Sequence, residues 1–108
     1  MLPKKYRLPG SRKLTNAQSI SFPFFTVLIA PSTFPYSRFG FVVSKKVDSK
    51  AVVRNRLKRM LRQRVQDELS TFAINKDFLF LVKKNFSEEP AATITQNIQA
   101  VAQKSLTL

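Results

Sequence analysis

Between Lys45 and Arg64 lie nine cations and one carboxylate, Asp48. Five of the cations are Arg, whose planar fork can donate to two phosphate oxygens at once. Asn55 sits between Arg54 and Arg56, where its amide can add a neutral hydrogen bond to a base edge, a sugar or a phosphate. Just upstream, Ser44-Lys45-Lys46 closes an apolar run. The bland reading of such a run is a solvated helix face, and of a Lys pair a guarded strand edge. A solvated face, however, normally mixes signs, and this one does not. It calls for a polyanion, and contact between about six of these cations and phosphates would make binding steeply salt-dependent.

Chemistry of other kinds has little to work with. The chain has no His and no Cys, so the commonest general base and all thiolate chemistry are absent. Its six carboxylates form no paired motif, and Asp67-Glu68, adjacent on a helix, point in two directions. No catalytic residue, metal site or protein-bound cofactor is expected. The formal net charge of +13 and a pI near 10.9 put nucleic acid first as partner and an anionic membrane surface second. Forty-four per cent apolar residues, ten of them Phe, suffice for one modest core, so residues 1–108 read as a single domain. The longest apolar stretch, Phe22 to Ala30, is too short to cross a bilayer, and no signal-type apolar run follows the basic start. A soluble, cytoplasmic protein is the expectation.

These residues need elements to position them. Residues 1–21 are basic and polar, with room for a short helix over Ser11–Ser19. Phe22–Ala30, aromatic and β-branched, reads as a strand with an irregular start at Pro23. Arg38–Ser44 reads as a second, with Arg38, Gly40, Val42 and Ser44 on one face and Phe39, Phe41, Val43 and Lys45 on the other. The two are close enough to pair as an antiparallel hairpin. Asp48-Ser49 offers N-cap chemistry for a helix from about Lys50 to Phe72. Val53, Leu57, Met60, Leu61, Val65, Leu69 and Phe72 form its apolar stripe, and Arg54, Asn55, Arg56, Lys58, Arg59 and Arg62 occupy the remaining arc. Arg64 falls at the stripe's edge, its stem on apolar surface and its head in water. Phe78–Val82 suggests a central strand buried on both faces. Ala91–Gln103, with Ile94, Ile98 and Val101, suggests a second amphipathic helix preceded by Glu88 and Glu89. The strand aromatics Phe22, Phe24, Phe25, Phe39, Phe41, Phe78 and Phe80 belong mainly to the core, although such residues can also stack unpaired bases.

The run Arg38-Phe-Gly40-Phe-Val-Val-Ser44-Lys45-Lys46-Val47, followed by Ala51-Val-Val-Arg54-Asn55-Arg56-Leu-Lys58-Arg59-Met-Leu-Arg62, closely resembles the protein subunit of bacterial ribonuclease P. Arg7-Leu8 and Asp77-Phe-Leu-Phe-Leu-Val-Lys83 resemble further parts of that family. The resemblance implies an α+β, two-layer sandwich in the order αβββαβα. It also implies a left-handed βαβ crossover, as in ribosomal-protein and elongation-factor-like domains. It implies a protein that binds a large catalytic RNA, which removes the 5′ leader of precursor tRNA using Mg²⁺. The RNA, not the protein, would hold that ion, and the protein would be a monomer in the holoenzyme. By position, Lys45, Lys46, Arg54, Asn55, Arg56, Lys58, Arg59 and Arg62 match the RNA-contacting motif. The family's leader groove lies between its first helix and one sheet face. There this chain offers Leu14 where the family has a Phe, Gln18 at the next aromatic position, and Phe25 or Val27 as strand wall.

Three other readings compete. A ribosome-associated or general rRNA-binding module would bind RNA without stimulating tRNA maturation. A peripheral membrane binder would need large apolar residues exposed on the basic helix, whose stripe looks committed to a core. A DNA-binding helix-turn-helix would need a short helix before the basic one, and none is evident.

Overall fold

The computed structural model describes residues 3–8 and 14–108. Four strands form one sheet: β1 (Gln18–Ser21), β2 (Phe25–Pro31), β3 (Arg38–Val43) and β4 (Lys76–Val82). Helix α1 (Ala51–Asp67) joins β3 to β4, and α2 (Ala91–Ser105) follows β4. The spatial order is β1-β2-β4-β3, with β4 antiparallel to β2 and parallel to β3. The expected β2–β3 hairpin is therefore absent: β4 lies between them. Its Phe78, Phe80 and Val82 are 0–6% exposed, and β2 and β3 each pair along one of its edges. The six residues of the 32–37 connection easily step over one intervening strand, a distance of roughly 10 Å.

Alternation along the strands sorts the sheet into two faces. One carries Phe25, Val27, Ile29, Phe39, Val43, Phe78 and Phe80, all buried. Both helices cover it, α1 with Leu57, Leu61 and Val65, and α2 with Ile94, Ile98 and Val101. The two layers and both apolar stripes are thus as expected. The other face carries Thr26, Leu28, Leu79 and Leu81, each half-buried, so β4 is not buried on both sides. Val42, also on this face, is 41% exposed.

Helix α1 ends at Asp67, five residues before the expected Phe72. A 3-10 turn, Leu69–Thr71, then swings Phe72 back onto the sheet. There its ring meets Phe39 and Phe78 edge-on, each at 5.0 Å, while those two stack at 5.1 Å. A straight helix could not return that ring to the core.

The start of the chain departs furthest from expectation. Of the helix expected over Ser11–Ser19, residues 11–13 lie outside the described residues. From Leu14 onward the backbone is not helical: Asn16 has φ of 57°, which breaks a right-handed helix, and Gln18 and Ser19 open β1. Pro23 sits in the β1–β2 turn, closed by Phe22 N–H donating to the Phe25 carbonyl at 2.8 Å. Lys4–Tyr6 forms a 3-10 turn, after which Arg7 bridges to Phe39 along the free edge of β3. Leu8 N–H donates to the Phe39 carbonyl at 2.8 Å. The site at Gly40 is tight, since a Cβ there would come 3.0 Å from Leu79 Cδ1 and 3.3 Å from Leu8 Cβ and would push those side chains aside.

One buried ion pair locks the half-exposed face at its end. Arg38 and Asp77 are register partners across β3 and β4. Arg38 Nε and Nη2 each donate to a separate Asp77 carboxylate oxygen at 2.9 Å, with the side chains 8% and 2% exposed.

Candidate nucleic-acid interface

The turn between β3 and α1 is built from its own polar groups. Val47 N–H donates to the Ser44 carbonyl, and Lys50 N–H donates to Asp48 Oδ1 at 2.9 Å. Asp48 thus closes the turn rather than capping the helix. Lys50 is the N-cap residue, and no side chain bonds the first-turn amides. Arg54 reaches back from the first helical turn, Nη1 donating to the carbonyls of Asp48 at 3.0 Å and Ser49 at 2.8 Å. This clamp fixes the turn that carries Lys45 and Lys46, both exposed, against the start of the helix.

Along α1 the structure brings the remaining motif residues onto one side. Asn55, Arg56 and Arg59 are exposed; Arg54, Lys58 and Arg62 are half-buried. Arg56 and Arg59 flank a shallow groove of about 320 Å³ with Val52 and Val53. Lys58 and Arg62 lean toward β3, where with Arg7, Leu8, Gly40 and Val42 they border a cavity of about 210 Å³. The Arg62 guanidinium lies 5.8 Å from the centroid of the Phe41 ring, near the outer limit of a cation–π contact. Among the described residues, no carboxylate pairs with Lys45, Lys46, Arg54, Arg56, Lys58, Arg59 or Arg62. The charge is therefore fixed in direction by a packed helix and left uncompensated by the fold, which is what a polyanion ligand requires. Arg64 follows its expected course, lining an apolar pocket with Met60, Phe86 and Ile94.

The groove residues fare differently. Leu14 is half-buried. Phe25 and Val27 are each 0% exposed, packed in the core under the helices, and cannot line an open groove. Their strand neighbours Thr26 and Leu28 occupy the other face instead, beside Leu79 and Leu81 of β4. The register error is one residue, and one residue exchanges faces. The signal lay in β4, where Phe alternates with Leu and the larger rings face the core.

Sequence reasoning also missed a set of aromatics beyond the basic motif. Tyr6 and Tyr36 meet edge-on at 5.8 Å, and Phe34 lies 5.6 Å from Tyr36. They cluster through the Arg38–Asp77 pair and the Lys4–Tyr6 turn, which no local periodicity reveals.

The family model described as Ribonuclease P matches residues 2–105. The chain is 31% identical over 107 residues to the ribonuclease P protein component of Geobacillus kaustophilus, covering 94% of this chain and 88% of that protein. It is 45% identical over 53 residues to the component from Fusobacterium nucleatum, where the match spans 47% of the relative's length. The solved ribonuclease P protein of Thermotoga maritima superposes with a TM-score of 0.73 at 27% identity, covering 82% of this chain and 84% of that one. The strand-turn-helix that holds the uncompensated cations thus sits within a fold and a sequence pattern shared with those proteins, and the chain belongs to the ribonuclease P protein family.

Proposed function

We propose that this chain binds the catalytic RNA of ribonuclease P and the 5′ leader of precursor tRNA, and so assists endonucleolytic removal of the leader. The observation that carries the reading is the set of unpaired cations on the Ser44–Ser49 turn and α1, held in place by the Arg54 clamp and the buried stripe. Lys45, Lys46, Arg54, Asn55, Arg56, Lys58, Arg59 and Arg62 are the contacts to the RNA subunit. Fixed cations of this density screen RNA–RNA repulsion and strengthen docking where Mg²⁺ is scarce.

The leader contact falls on the half-exposed sheet face, with Leu28, Leu79, Leu81 and Val42 as its apolar floor, Thr26 as a hydroxyl beside them, and Leu14 as its wall. Chemistry belongs to the RNA, with Mg²⁺ bound there. The protein acts in the cytoplasm, as a monomer within the holoenzyme. No described helix is long and apolar enough to cross a membrane.

The test is reconstitution. Added protein should raise leader cleavage by the cognate RNA at low Mg²⁺. Binding to rRNA with no stimulation of cleavage would instead support a ribosome-associated module.

A further inference from the structure

At the end of α1 remote from the basic turn lies a cavity of about 670 Å³, bordered by Lys5, Tyr6, Tyr36, Gln66, Asp67 and Ile74 among others. Its aromatic wall is braced from behind. Phe34 lies 5.6 Å behind Tyr36, and the Arg38 guanidinium covers Phe34 at 4.1 Å while both its donating nitrogens are held by Asp77. Asn75 Nδ2 donates to the Phe34 carbonyl at 2.6 Å, which fixes the same loop from β4. Tyr6 stands edge-on to Tyr36, and Lys5 Nζ lies 5.0 Å and 5.6 Å from the two ring centroids. Rings held this firmly lose little freedom when a ligand stacks on them.

The polar groups here are acceptors as much as donors. Gln66 Oε1 is buried and has no hydrogen-bond partner. Asp67 Oδ1 accepts from Gln63 Nε2 at 2.9 Å, which leaves the second carboxylate oxygen for another donor. A phosphate would meet the Asp67 charge. A nucleobase would not: its face suits Tyr36 and its N–H edge suits the second Asp67 oxygen, while Lys5 is placed for the attached phosphate.

The cavity also shares lining residues with grooves along the cationic rail. Gln66 lines a second groove with Arg59, Arg62 and Gln63, and Arg59 lines a third with Arg56. From Arg56 to Gln66 is about 15 Å of helix. We propose that the cavity between the Lys4–Tyr6 turn, Tyr36 and the C-terminal end of α1 receives one unpaired base of an RNA strand whose phosphates run along Arg56, Arg59 and Arg62. This rests on the RNA-binding reading above. The strand comes from the catalytic RNA or from the precursor, and the same chemistry serves both.

The test measures dissociation constants across a salt series in two arms: protein with labelled cognate ribonuclease P RNA, and the assembled holoenzyme with labelled precursor tRNA. Tyr36→Leu keeps apolar bulk and removes the stacking face. It should weaken binding roughly tenfold in one arm, the scale of one lost base stack, with an unchanged salt slope. Tyr36→Phe should bind as the parent does. Ile74→Glu, at a rim position 63% exposed, should weaken the same arm severalfold by placing an anion at the mouth while melting as the parent does. Loss in the first arm assigns the base to the catalytic RNA, and loss in the second alone assigns it to the precursor. Unchanged affinity in both arms for Ile74→Glu and for Tyr36→Leu, the latter with parental melting behaviour, overturns the proposal. If the parent protein binds neither RNA, the RNA-binding reading itself falls, and this site with it.

Discussion

At the residue scale, the motif positions divide by what the fold already asks of them. Arg54 spends one guanidinium nitrogen on two carbonyls of the turn, whereas the Arg56 side chain makes no hydrogen bond among the described residues. Arg54→Ala should therefore loosen the turn and cost about 1 kcal/mol of stability as well as RNA affinity. Arg56→Ala should leave urea denaturation unchanged and lower the salt slope of RNA binding by about one. Equal stability losses in the two variants would contradict the clamp. Arg38 and Asp77 illustrate a different case. Both stand inside the resembling runs, yet nothing in the local sequence says that they touch. Their pairing explains why an acid stands near the start of β4 opposite the cation that opens β3. Asp77→Ala leaves a guanidinium buried and without its carboxylate, and should cost about 3–5 kcal/mol in equilibrium unfolding. A loss under about 1 kcal/mol would show that the pair is replaceable by water.

At the element scale, the two faces of the sheet have opposite duties, and substitutions on neighbouring residues should separate them. Phe25→Ala opens the core beneath the helices and should cost about 3–5 kcal/mol. Leu28→Glu, on the half-exposed face, should change stability little and weaken affinity for precursors with a leader. An undiminished preference of the Leu28 variant for leader-bearing over leaderless substrates would remove this face from the leader contact. Much of this was legible in the chain. Strong periodicity placed α1, α2, β3 and β4, and the charge pattern located the basic face. What stayed hidden lacked a local signal. Strand β1 is Gln-Ser-Ile-Ser, held by pairing with β2 rather than by apolar alternation. The insertion of β4 between β2 and β3 is a long-range choice. The face of Phe25 turned on a one-residue register that only the pairing with β4 settles.

At the scale of the whole molecule, a net charge of +13 is carried by a body whose Cα radius of gyration is 12.9 Å. Repulsion among so many like charges opposes the compact state, and an RNA ligand both relieves it and binds only the folded form. The mean melting temperature should consequently rise on adding cognate RNA and rise less at high salt. The part of that charge carried by the β3–α1 turn and α1, held by a packed helix and unpaired with carboxylates, is the physical basis for a protein that aids an RNA catalyst without supplying reacting groups. The most direct measurement is the rate of 5′-leader cleavage by the cognate ribonuclease P RNA at low Mg²⁺, with and without this protein, across a salt series. The account predicts a marked rise with protein, lost as salt increases and lost in the Arg54→Ala, Arg56→Ala double variant. Cleavage that is unchanged by the protein at every Mg²⁺ and salt concentration would contradict it.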